Sequence, residues 1–400
     1  MQQPLPVLSS ASTSTRLVKR PKLAEEDVFA HLDALFGADL HAKRVLSLSY
    51  CVIGVLHGAS LAIHAIGQGL AQARGLAPKH AIKQVERLLR NKGVDVEALL
   101  GPWVRYLIGE RTEIVCTLDW TEFDNDDQST IALNLVTSHG RATPLLWKTV
   151  RKSEMKDQRN QHEDEILGRL RKIVPSSVRI TVLADRGFGD QKLYRYASDL
   201  SIDFVIRFRE CITVTDESGR AMTGADWVPI NGQARAIRGA RVTTDETPVP
   251  MVVCTKARAM KEAWCLATSR SDLTATAIVK LYGKRFTTEE NFRDTKDPRY
   301  GLGLSSTHIK DPSKRDRLLL VCALAQALLT LLGAAAERVG FDRLLKASTT
   351  KKRTHSLFRQ GLYWYGAIPM MDGDDLELLM KAFVDVLREH EVFALVLGAI

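Results

Sequence analysis

The sequence predicts an α/β protein: a mixed β-sheet with helices packed on it, an all-helical segment before it and a β-rich insertion within it. Three observations carry this reading. Residues 25–91 place apolar side chains at helical spacing, punctuated by Gly75 and Pro78. From Thr112 the pattern becomes that of strands, and strand and helix then alternate as far as residue 209. Residues 211–267 are rich in Gly, Thr, Val and Pro with few helix signals, after which long helical runs return.

Taken in order, residues 1–22 are rich in Ser, Thr, Pro and Gln and predict a disordered tail. Residues 23–108 predict a helical domain with helices over 25–35, 41–56, 60–74 and 78–90. Ser60 reads as an N-cap, Gly75 as a C-cap and Pro78 as a first-turn residue. In the last of these helices Lys79, Lys83, Arg87 and Arg90 fall within about 80° of arc, with Ile82, Val85, Leu88 and Leu89 opposite. One basic and one apolar face suit a short helix that lies against a DNA backbone. Strands are expected over 113–118, 130–137, 142–150, 178–184 and 203–209, and helices over 158–173 and 191–200. These elements and a helix over 271–296, stopped by Pro298, assign a catalytic core to 109–210 and 269–340, with the β-rich insertion at 211–268. Residues 341–400 form a C-terminal helical region, basic over 343–359 and amphipathic over 375–390. Residues 318–336 hold 19 positions without a charge. That length is marginal for a membrane span, and Gln326 and Thr330 interrupt it, so a buried core helix is expected and no membrane.

Lys and Arg outnumber Asp and Glu by 56 to 47, a formal charge of +9, which favours a polyanionic partner. The six cysteines form no CxxC pair and none has a His at metal-ligand spacing, so reduced thiols in a cytosolic protein are expected. No apolar core follows the first residues, so no signal peptide is expected. GxSxG, GxGxxG and GxxxxGK[ST] do not occur, which excludes the corresponding serine-nucleophile, dinucleotide and P-loop chemistries.

The chemistry sits in three acidic positions. Asp119 is expected at the end of the first strand and Asp185 at the end of the fourth. If those strands are neighbours, both carboxylates emerge at one sheet edge, and Glu289 approaches from the helix over 271–296. Such a hard oxygen set selects Mg²⁺ or Mn²⁺, and two ions about 4 Å apart can serve an in-line phosphoryl transfer. On that helix Tyr282, Arg285, Glu289 and Lys296 stand at offsets 0, 3, 7 and 14, within about 60° of arc.

This combination resembles the insertion-sequence-four family of DDE transposases, which have a ribonuclease-H-like core. The family signature is Tyr, two residues, Arg, three residues, Glu, six residues, Lys, and Tyr282, Arg285, Glu289 and Lys296 reproduce its spacing. Asp185–Phe188 resembles the turn at the family's second carboxylate. Phe286 stands where the family usually has Trp, and Thr288 where an apolar residue usually precedes the Glu. The likeness covers roughly residues 25–310. It implies that Asp119, Asp185 and Glu289 bind the two ions, and that Tyr282, Arg285 and Lys296 grip phosphates at the transposon end. In some relatives a Trp of the insertion stacks on a flipped base, a position that falls to Trp264. The resemblance further implies a bacterial cytoplasmic, nucleoid-associated enzyme that binds double-stranded DNA at terminal inverted repeats and works as a DNA-bound homodimer. It would cut and paste through a hairpin, with residues 375–400 supplying dimer contacts. The alternatives are a two-metal nuclease of the same fold without strand transfer, and an inactive transposase-derived DNA-binding protein.

Overall fold

The computed structural model describes residues 25–137, 141–299 and 301–389. The tail over 1–22, the turn at 138–140 and residues 390–400 lie outside the described residues.

Five helices come first: α1 (Glu25–Phe36), α2 (Ala42–Gly58), α3 (Ile63–Arg74), α4 (Pro78–Arg90) and α5 (Val96–Ile108). Each turns an apolar stripe inward, as with Val45, Leu48, Val52 and Val55 of α2. The α2–α3 crossing needs glycine, because a Cβ at Gly69 would collide with the Gly54 carbonyl. Helix α3 starts at Ile63, later than expected: Ser60 Oγ accepts from the Ala62 amide at 3.2 Å but does not cap the helix. Gly75 closes α3 in the left-handed region at φ 65°. Helix α5 has no counterpart among the sequence-derived helices. Gly101 and Pro102 in its middle read as breakers, yet Asp95 caps it and its buried Leu99, Leu100, Trp103, Val104 and Leu107 hold it in place.

The rest of the chain is built on one ten-stranded mixed sheet. Strands β1 (Glu113–Phe123), β2 (Gln128–Leu135) and β3 (Thr143–Arg151) form an antiparallel meander. Helix α6 (Arg159–Ile173) leads to β4 (Arg179–Ala184), and α7 (Gln191–Asp199) leads to β5 (Asp203–Phe208). Both β4 and β5 run parallel to β1, giving the order β3-β2-β1-β4-β5, which is compatible with a ribonuclease-H-like core. Strands β6 (Thr213–Thr215), β7 (Ala221–Thr223), β8 (Arg235–Val242), β9 (Thr247–Thr255) and β10 (Trp264–Thr268) follow. They continue the same sheet, since β10 pairs with β5 at Cys265↔Phe208.

Helices α8 (Ala275–Gly283) and α9 (Phe286–Lys296) stand where one unbroken helix was expected. The amides of Lys284 and Arg285 bond to carbonyls three residues back, Leu281 at 3.1 Å and Tyr282 at 3.0 Å, so the chain tightens and turns there. Helix α10 (Pro312–Arg338) then runs through the centre, followed by α11 (Leu357–Ala367) and α12 (Gly373–Arg388). Leu318–Leu332 of α10 are buried almost throughout, so the uncharged run is a core helix within the protein. Arg317 of α10 donates to the carbonyls of Leu89 and Val94 at 3.1 and 2.9 Å, tying the helical segment to the sheet-bearing part.

Candidate active site

The β1–β4 ladder carries the two aspartates to one place. Its parallel register runs from Glu113↔Arg179 to Leu118↔Ala184, so Asp119 and Asp185 are the next residues on neighbouring strands. Strand β4 ends there, and Asp185 caps the following turn by accepting from the Gly187 amide at 2.8 Å. Strand β1 does not end: it runs on to Phe123, held by β2. Asp119 is therefore a mid-strand residue, contrary to the expected strand end, and its largely buried side chain lies at the point where its β4 partner stops. Its Oδ1 accepts from the Trp120 amide at 2.9 Å.

Glu289 lies in the first turn of α9, half exposed. Arg285, at the α8–α9 turn and only 11% exposed, joins the two elements. Its guanidinium donates to Glu289 Oε1 at 2.7 Å and to Asp119 Oδ2 at 3.5 Å. Burial pushes the Asp119 carboxyl up to about 6, opposed by Arg285 and reinforced by the Asp185 and Glu289 charges. The Asp185 and Glu289 charges thus both act on Asp119. Among the described residues, however, no three His, Cys, Asp or Glu side chains are gathered closely enough to hold an ion between them as they stand. The donor chemistry fits a hard divalent cation, because three carboxylates repel one another at this edge. The positive charge between Asp119 and Glu289 is supplied by Arg285.

The other signature residues divide. Lys296 reaches back to β1, donating to Thr121 Oγ1 and the Glu122 carbonyl, both at 3.0 Å, with its ammonium 4.8 Å from the Phe123 ring centre. It pins the C-terminal end of α9 two residues past Asp119 and does not touch the carboxylates. Tyr282 is buried, 2% exposed, so it backs Arg285 and offers no open hydroxyl face. Trp264 opens β10 half-buried, edge-on to Tyr282 at 4.9 Å and stacked on Phe286 at 6.1 Å. Phe286, 46% exposed, carries this aromatic group to the surface beside Arg285. Lys79, Lys83, Arg87 and Arg90 are all exposed on α4, over buried Ala81, Val85, Leu88 and Leu89. Among the described residues none of the four is in an ion pair.

Some residues of the site's surroundings were not anticipated. Buried Glu163 of α6 accepts from Trp120 Nε1 at 2.8 Å and Arg159 Nε at 3.2 Å, while the Arg159 guanidinium lies 5.3 Å from the Trp120 ring and 5.9 Å from that of Phe188. This cluster braces, from the other face of the sheet, the residues that follow Asp119 and Asp185. Glu262 bridges Arg186 and Arg207 at 3.2 and 2.7 Å beside Trp264. No spacing in the sequence separates Glu163 from its neighbours Asp164 and Glu165; only the strand register reveals it.

Fold and site together define an α/β protein with a carboxylate-bearing edge between two parallel strands. Residues 143–326 match the family described as transposase DDE domain. The match covers less than half of the chain and supports a DDE transposase domain over those residues, a family that implies DNA as substrate. It contains Asp185, Glu289 and the whole 282–296 signature, and begins after Asp119. No curated protein matches the chain.

Proposed function

We propose that the protein is a cut-and-paste DNA transposase of the insertion-sequence-four kind. The observation that supports this most is the β1–β4 register, which sets Asp119 beside Asp185, together with the Arg285 link that brings Glu289 to the same edge. Asp119, Asp185 and Glu289 would hold two Mg²⁺ or Mn²⁺ ions. When bound, these ions supply activation of the attacking hydroxyl and charge stabilisation on the leaving oxygen.

The chain's own residues do the rest. Water attacks the phosphorus at the transposon end, the P–O3′ bond breaks, and the freed 3′-hydroxyl later attacks a target phosphodiester with loss of another 3′-oxygen. Arg285 is placed to take a phosphate oxygen through its planar fork once it leaves a carboxylate. Lys296 holds α9 against β1, which fixes where Glu289 can reach. The Trp264–Phe286 pair offers an aromatic face for an unstacked base, in keeping with a hairpin route. The basic face of α4 would lie along the terminal repeats, and a second copy of the chain would complete the DNA-bound complex.

A target-joining assay with a pre-cleaved end tests the reading. Joined product is expected. Cleavage of the uncut end without any joining would instead make the protein a nuclease of this fold.

A further inference from the structure

We propose that Arg285 is an internal lock: without DNA its guanidinium occupies the cation position between Asp119 and Glu289, and divalent ions enter only when it leaves. This rests on the carboxylates being the ion site, as proposed above.

The geometry points this way in four respects. The guanidinium bridges carboxylates from two separate elements, at 3.5 Å on β1 and 2.7 Å on α9. It does so from a largely buried position, 11% exposed, where a positive charge is screened little by water. The described carboxylates are not gathered as an ion would hold them, consistent with a planar fork spacing them apart. The lock is also only partly fastened, because Arg285 Nε is buried with no hydrogen-bond partner. A phosphate could take that group together with one terminal nitrogen, side-on through two parallel N–H···O bonds, so an arriving DNA backbone offers Arg285 a partner that the carboxylates leave unfilled. Helix α9 is built to allow the exchange. Its buried face is Thr288, Asn291, Asp294 and Thr295, all polar. Beneath it lies a mainly apolar cavity of about 40 Å³, lined by Phe123, Trp147, Phe292 and Leu319 among others, into whose wall Asn134 and Gln326 also enter; Asn134 Nδ2 and Gln326 Oε1 lack partners.

Linkage then makes ion and Arg285 competitors: removing the guanidinium raises ion affinity in the DNA-free protein. The experiment is Mn²⁺ binding to the full chain without DNA, followed by electron paramagnetic resonance. Arg285→Gln is expected to bind Mn²⁺ about tenfold more tightly than the wild type. Lys284→Gln removes the neighbouring charge without touching the bridge and is expected to match the wild type. If Arg285→Gln does not fold by circular dichroism, Arg285→Lys serves, because its single, shorter-stemmed ammonium would have to meet from one nitrogen the two carboxylates that Arg285 reaches with two; it is expected to bind several-fold more tightly. A gain no larger than that of Lys284→Gln overturns the lock and leaves the ion site standing. Absence of Mn²⁺ binding in every variant overturns the lock and the ion site together.

Discussion

Asp119 is held in a state that does not suit it. Its carboxyl, ordinarily at 3.8, is raised to about 6, first by burial and then by Asp185 and Glu289. The folded protein therefore keeps this proton to a higher pH than the unfolded chain does. Asp119 costs stability progressively as the pH rises from about 4 to about 6, and by a constant amount above that. Asp119→Asn is accordingly expected to be more stable than the wild type near neutral pH, by roughly 1–3 kcal/mol, with the difference shrinking as pH falls through this window. Urea unfolding across the range measures it; a wild type that is the more stable at neutral pH would contradict this reading of the site. That Asp119 and Asp185 would meet was legible because an apolar run ending in Asp occurs twice in an element order that makes the two strands neighbours. What Arg285 touches was not: helical offsets place it near Glu289, but its second carboxylate is 166 positions away.

At the scale of elements, α9 is seated on polar contacts and α10 on glycine contacts. Asp294 of α9, 1% exposed, lies between Arg141 at 2.5 Å and Arg359 at 3.3 Å. Asp294→Ala leaves two guanidinium groups without their shared anion and is expected to lower stability by about 2–3 kcal/mol in urea unfolding. Helices α10 and α11 cross where Gly333 faces the Leu357 carbonyl and Gly361 faces that of Leu329, with no room for a Cβ on either. Gly361→Ala must push the helices apart and is expected to lower stability by at least about 2 kcal/mol. An unchanged midpoint for either variant would mean the packing is looser than described. Most elements could be read from periodicity to within a few residues. The break between α8 and α9 could not, because Gly283 alone marks it, and α5 was hidden by its own Pro102. Strand β1 was read as ending at Leu118 because its pairing with β2 beyond that point is a tertiary fact.

The whole molecule joins a helical segment that carries the basic face of α4 to a carboxylate edge through Arg317 and α10. The order of strands, and the fusion of the insertion into the same sheet, depend on long-range pairing that no local pattern carries. The charge excess of +9 is legible from composition, but where it faces DNA is not. If α4 lies on the backbone, replacing Lys79, Lys83, Arg87 and Arg90 by Gln is expected to reduce the slope of log affinity against log salt by up to about 3.6, or 0.9 per phosphate contact. Weaker binding with an unchanged slope would place the contact elsewhere. The central claim is that three carboxylates share one reaction. Strand cleavage at transposon-end DNA with Mg²⁺ tests it in Asp119→Asn, Asp185→Asn and Glu289→Gln. Each is expected to lose at least about a hundredfold in cleavage rate while still binding the DNA end; wild-type cleavage by any one of them would contradict it.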